Sequence, residues 1–173
     1  MMRVNHYFFY IVLGIFGWSC SPKNTSNLEG TIIYLVRHAE KDLTDTTDDP
    51  PLTAEGYDRA EKLLQELSVV QPNAIYSTRY QRNINTVKPL AEKYGVDIQI
   101  YEWHDTENLS KTILEDHPGE TVLVCGHGDN LLPLIGHLGA EPPLDSLGEH
   151  EYDNIFKVVL GTRRNADVSI RKF

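Results

Sequence analysis

The chain has little cysteine, no surplus of positive charge and no long apolar run, and each shortage excludes something. Only two cysteines, Cys20 and Cys125, occur in 173 residues, which leaves no room for a disulfide framework. Cys125 sits in an apolar run and reads as a small buried hydrophobe, not a catalytic thiol. The formal net charge is -9, which argues against a nucleic-acid partner, because such a protein needs a basic face. A small phosphorylated substrate stays open, since a few local arginines can dominate the field of one site. The longest apolar stretch, Tyr7–Trp18, is too short to span a bilayer comfortably and has the length of a signal-peptide h-region. Internal repeats, His-x-x-x-His spacing and metal-type cysteine pairs are missing as well.

Ser19-Cys20-Ser21-Pro22-Lys23 follows the apolar stretch. A small residue before a cysteine at that point resembles a bacterial lipoprotein signal, in which Cys20 is lipidated and becomes the new N-terminus. The expected organisation is a signal peptide over residues 1–19, a polar tether over 20–29 and one folded domain over 30–173. The expected location is extracytoplasmic, with the lipid on Cys20 holding the protein to a membrane. Plain secretion or a retained N-terminal anchor is the alternative.

Within the folded part, strand-like and helix-like stretches alternate. Thr31–Val36 and Thr121–Cys125 are short aliphatic runs without polar alternation, the pattern of parallel strands buried on both faces. Ala74–Ser77 and Val96–Tyr101 add strands, and Tyr152–Leu160 with Asp167–Lys172 reads as a late pair joined through residues 161–165. Thr53 is placed to cap a helix whose apolar face is Tyr57, Ala60, Leu63, Leu64 and Leu67. A second helix is expected from Arg79 to Tyr94, with Ile84, Val87, Ala91 and Tyr94 on its apolar face. Pro89 should kink or break it, and Gly95 should stop it. Further helices are expected over Glu107–Asp116 and Asp129–Leu138. The fold class is α/β: a three-layer sandwich with a mostly parallel central sheet and helices on both faces.

Two histidines stand just after the two aliphatic strands, in Arg37-His38-Ala39-Glu40 and Gly126-His127-Gly128-Asp129. Ligands of open α/β sheets bind beyond the carboxyl ends of the strands. A neutral imidazole at His38 is a competent nucleophile toward phosphorus, and the adjacent Arg37 offers a planar fork to phosphate oxygens. Arg82 falls in the first turn of the second helix, where its charge adds to a field that already favours anions. Gly126 and Gly128 leave room for a ligand to approach the backbone beside His127.

These segments, taken in order, resemble the histidine phosphatase superfamily with its phosphoglycerate mutase-like fold. Val36-Arg37-His38-Ala39-Glu40 is similar to its Arg-His-Gly signature, with Ala39 in place of glycine. Pro51-Leu52-Thr53-Ala54-Glu55-Gly56 resembles its Pro-Leu-Thr-x-x-Gly segment, and Ser77, Arg82 and Thr86 fall on its Ser-x-x-x-x-Arg-x-x-x-Thr segment. Gly126-His127 resembles its Gly-His segment. The resemblance implies a small phosphatase, with His38 as nucleophile and Arg37, Arg82 and His127 completing the phosphate pocket. It implies no cofactor and no metal. The partner is then a small phosphorylated substrate or a phosphohistidine protein. Many members carry a glutamate general acid in a longer insertion after the central strand. Here that region is short, and Glu102 and Asp105 are the candidates. A phosphoramidate needs less leaving-group protonation than an ester, so a missing acid would bear on the substrate.

Two other readings compete. His38, His127, Glu40 and Asp129 could together ligate a divalent metal, making a metal-dependent hydrolase. Alternatively, the protein is a non-catalytic phosphate-binding lipoprotein that keeps the pocket without turnover.

Overall fold

The computed structural model describes residues 30–161 and 165–173. The expected signal peptide, the lipidation site Cys20 and the tether lie outside the described residues, as does most of the turn expected at 161–165. In chain order the elements are β1 (Ile32–Arg37), α1 (Ala54–Glu66), β2 (Ala74–Ser77), α2 (Gln81–Tyr94), β3 (Ile98–Ile100), α3 (Thr106–Asp116), β4 (Thr121–Gly126), α4 (Leu131–His137), β5 (Asn154–Leu160) and β6 (Ala166–Lys172). They form one six-stranded sheet in the order β3-β2-β4-β1-β5-β6. The first four strands of that order are mutually parallel. β5 and β6 add an antiparallel pair at the β1 edge.

β1 and β4 lie inside the sheet with a helical layer on each face, which is why neither shows polar alternation. Ile33, Leu35, Val122, Val124 and Phe156 pack with Leu109 and Ile113 of α3 and with Leu131, Leu134 and Ile135 of α4. On the other face Val36, Ile75, Leu123, Cys125 and Ile155 pack with Leu63 of α1 and Val87, Leu90 and Ala91 of α2. The three-layer α/β sandwich with a mostly parallel sheet is therefore the observed fold. Cys125 is fully buried, and burial pushes its thiol pKa up, so it behaves as a core side chain.

The structure corrects several local expectations. The buried stripe of α1 is Gly56, Ala60 and Leu63, continued by Leu67, whereas Tyr57 is 48% exposed. The helix is rotated by the approach of Gly56 to the chain after β1. α2 runs unbroken through Pro89, because the packing of Val87, Leu90 and Ala91 on both sides of it outweighs one missing backbone bond. Its buried face starts with Arg82, Asn83 and Thr86, since the amino-terminal half of α2 meets the strand ends and not the apolar sheet. α4 begins at Leu131, two residues after the expected Asp129, because residues 127–130 form a turn. The strand expected over Val96–Tyr101 shrinks to three residues at the sheet edge.

Candidate active site

Beyond the carboxyl ends of β1 and β4 the two histidines come together. Their rings meet edge to face with centroids 5.3 Å apart. They line a cavity of about 580 Å³ with Arg37, Lys41, Tyr80, Arg82, Trp103, Gly128, Asp129, Ser146 and Leu147. All four expected phosphate-pocket residues, Arg37, His38, Arg82 and His127, thus border one space.

The chain after β1 is held from several directions. The His38 N–H donates to the carbonyl of Gly126 at 3.0 Å, tying the two strand ends together. The Ala39 N–H donates to the Thr86 hydroxyl at 2.9 Å, and that hydroxyl donates back to the Arg82 carbonyl at 2.7 Å. Asn83 Nδ2 donates to the Gly126 carbonyl at 2.9 Å. One polar face of α2 therefore grips both strand ends. Thr53 caps α1 by accepting from the Gly56 N–H at 3.1 Å, and the Thr53 N–H donates to the Glu40 carbonyl at 2.9 Å. A Cβ at Gly56 would stand 2.4 Å from that same carbonyl oxygen. The Pro-Leu-Thr-x-x-Gly segment is thus a clamp on the loop that carries His38.

His38 is only 4% exposed. Its Nδ1 lies 2.7 Å from the carbonyl oxygen of Ala39. A carbonyl can only accept, so Nδ1 carries the proton and Nε2 keeps its lone pair. Burial drives the His38 pKa down to about 3, opposed by the Ala39 bond and reinforced by His127, Arg82 and Arg37. Burial also lowers His127 to about 4, with Arg82 acting in the same direction and Asp129 opposing. Both rings are neutral at physiological pH. His127 Nε2 lies 3.0 Å from the Thr78 hydroxyl.

The two arginines are fixed on aromatic faces. The Arg37 guanidinium lies 4.5 Å from the Tyr152 ring centroid, and that of Arg82 lies 4.3 Å from the Tyr80 ring. Arg37 Nη1 donates to the Gly148 carbonyl at 2.8 Å. Arg82 Nη1 stands 3.6 Å from Asp49 Oδ1, too far for a hydrogen bond. Arg37 Nε, Arg82 Nε and Arg82 Nη1 are buried without any hydrogen-bond partner among the described residues. Buried cationic N–H groups are costly to leave unpaired, and a tetrahedral oxyanion between the two guanidiniums meets that need.

The carboxylates sort differently from expectation. Asp105 caps α3, accepting from the Asn108 N–H at 3.3 Å, and Glu102 is exposed. Neither lines the cavity, because β3 ends early and the short turn after it leads straight into α3. Glu40 faces Arg59, which reaches its two oxygens at 2.7 and 2.8 Å. The four-residue metal set is thereby split, and among the described residues no three His, Cys, Asp or Glu side chains group to hold a metal ion. Asp129, counted from sequence only as a metal ligand, lines the cavity.

Sequence reasoning missed Tyr80, Tyr152, Trp103, Lys41 and Asn130. Asn130 is 4% exposed. Its Oδ1 accepts from the His127 N–H at 2.8 Å, and its Nδ2 donates to the Trp103 carbonyl at 2.7 Å. An asparagine three residues after a Gly-His step is a recognisable turn-former, but its reach to Trp103 is a tertiary fact. The two tyrosines carry no spacing signal that separates them from core aromatics.

The family model of the histidine phosphatase superfamily (branch 1) matches residues 33–105. No curated protein matches in sequence. Among solved structures, the protein histidine phosphatase SixA, complexed with tungstate, superposes with a TM-score of 0.67 at 17% identity, over 82% of this chain and 96% of that one. The alpha-ribazole phosphatase of Shigella flexneri gives 0.66 at 14% identity, over 82% and 96%. YhfR of Bacillus stearothermophilus gives 0.63 at 21%, over 76% and 93%. At these identities the structural likeness speaks for the fold. The matched stretch and the four ordered motifs make the chain similar to the histidine phosphatase superfamily.

Proposed function

We propose that the protein is a metal-independent phosphatase that hydrolyses a phosphomonoester or phosphoramidate through a phosphohistidine on His38. The observation that carries this reading is a neutral, tautomer-locked imidazole beside two guanidinium groups with buried N–H groups that have no partner among the described residues. His38 Nε2 attacks phosphorus in line. Arg37 and Arg82 hold the equatorial oxygens, where charge is stabilised in the transition state. His127 adds a further polar contact to the same group. Water then hydrolyses the phosphoryl–histidine bond and returns His38 to its starting state. The cationic side chains of Arg37, Lys41 and Arg82 supply the positive field that a metal would otherwise provide.

Rapid quenching with labelled aryl phosphate tests this. The wild type should yield an acid-labile, alkali-stable phosphoprotein that is missing in His38→Ala. Turnover surviving in His38→Ala, or lost with a chelator and restored by zinc, would favour the metal-dependent hydrolase. Tight phosphate binding without turnover of any ester or phosphoramidate would favour the binding lipoprotein.

For location, the support is the apolar stretch followed by Ser19-Cys20. We propose a lipid-anchored, extracytoplasmic enzyme. Mass spectrometry of the mature N-terminus should show a diacylglyceryl-modified Cys20, and Cys20→Ser should release the protein from membranes. A mature chain that starts elsewhere without lipid mass overturns the proposal.

A further inference from the structure

The proposed chemistry needs a proton for the departing oxygen of an ester, and neither carboxylate nominated from sequence is placed to give it. Asp105 is engaged at the cap of α3, and Glu102 does not border the cavity. Glu40 is bound to Arg59. Asp49 spends its oxygens on the Gln81 N–H at 3.0 and 3.2 Å and does not line the cavity. Among the residues that do, Asp129 is the one carboxylate.

Asp129 is also held in place. It stands in the turn between β4 and α4. There the Asn130 side chain closes back onto the His127 N–H, and the Asn130 N–H reaches toward the His127 carbonyl at 3.4 Å. Buried Asn130 fastens this turn to the loop after β3 through Trp103. The Asp129 backbone therefore keeps a set position relative to His127. The two side chains also interact electrostatically, since Asp129 partly offsets the lowering of the His127 pKa. Its side chain is exposed, so it is open to both the leaving group and water.

We propose that Asp129 is the proton donor to the leaving group. The assignment rests on the phosphatase reading above. In the first step the bond from His38 Nε2 to phosphorus forms and the bond from phosphorus to the ester oxygen breaks. The Asp129 carboxyl proton passes to that oxygen, releasing an alcohol. In the second step water attacks phosphorus and the phosphorus–Nε2 bond breaks. The Asp129 carboxylate takes the proton from water, so inorganic phosphate leaves and both side chains return to their starting forms. The ligand class that demands this residue is a phosphomonoester with a poor leaving group, such as an alkyl or sugar alcohol.

The test compares wild type, Asp129→Asn, Glu102→Gln and Asp105→Asn on an alkyl phosphate and on nitrophenyl phosphate. General-acid help is typically worth about 10²–10⁴-fold. Asp129→Asn should lose about that much kcat/KM on the alkyl ester and far less on nitrophenyl phosphate. The same variant should still form the phosphohistidine from the aryl substrate, which shows that its site is folded. Glu102→Gln and Asp105→Asn should keep wild-type selectivity between the two esters. An Asp129→Asn variant that keeps its alkyl activity, or loses both activities equally, overturns the assignment and leaves the phosphatase reading standing. A wild-type protein that turns over neither ester and forms no phosphoprotein overturns the phosphatase reading itself.

Discussion

Gly56 and His38 show how much of the site is decided by single atoms. An alanine at position 56 would drive its Cβ into the Glu40 carbonyl, two residues from His38, so the glycine is required by close approach and not by a turn. His38 owes its readiness to burial and to one hydrogen bond. Burial holds its pKa near 3 against 6.5 for an unperturbed imidazole, and Ala39 selects the tautomer with a free Nε2. The same burial makes stability depend on pH. Between these two values the unfolded chain binds a proton that folded His38 refuses, so stability is full above about pH 6.5 and is lost as pH falls toward 3. At about 1.4 kcal/mol per pKa unit, this one residue accounts for several kcal/mol across the window. His127 acts in the same direction. Thermal unfolding followed from pH 7 to pH 4 should show the wild type losing melting temperature more steeply than His38→Gln. Parallel curves would mean that the imidazole is not buried as described.

At the scale of elements, α2 is the organiser. Its amino-terminal turn presents Arg82 to the cavity, Asn83 to the end of β4 and Thr86 to the chain after β1, while its later turns pack as an ordinary apolar helix. Three polar positions on one face explain why its periodicity misleads when only apolar residues are counted. Thr86→Val keeps the shape and removes the acceptor for the Ala39 N–H. A buried donor left unpaired costs about 1–3 kcal/mol, so the urea midpoint should fall accordingly. Ala39 also orients His38, and displacement of a reacting group can cost up to about 100-fold in rate. The expected signature is a fall of roughly 10–100-fold in kcat with KM little changed. A variant that is destabilised but fully active would confine Thr86 to a structural role.

At the scale of the whole molecule, the acidic chain concentrates cationic side chains in one cavity. The net charge is -9, yet Arg37, Lys41 and Arg82 share the wall of a single space. That space draws on β1 and the loop after it, α2, the turn after β4 and the loops before α3 and before β5, so an anion bound there braces most of the fold. A ligand that binds only the folded state stabilises it by about 2.7 kcal/mol at a hundredfold excess over Kd. For a domain of this size that is a rise in melting temperature of roughly 5–10 °C. Inorganic phosphate should produce such a rise in the wild type and little or none in Arg82→Ala. An equal rise in both proteins would place the anion elsewhere.

The residues Arg37, His38, Arg82 and His127 were legible in the chain because each sits at a fixed offset from a buried strand or a helix start, and those offsets survive in linear order. The central strands were legible for the same reason: a strand covered on both faces must be apolar throughout. What only the tertiary structure decided depends on contacts between distant segments. Glu40 became the partner of Arg59, and Asp129 became the cavity's carboxylate. Tyr152 became a platform for the Arg37 guanidinium, which approaches from β1. A carboxylate has the same chemistry in a cap, an ion pair or a catalytic cleft, and its use is set by the neighbour that folding brings within about 3 Å.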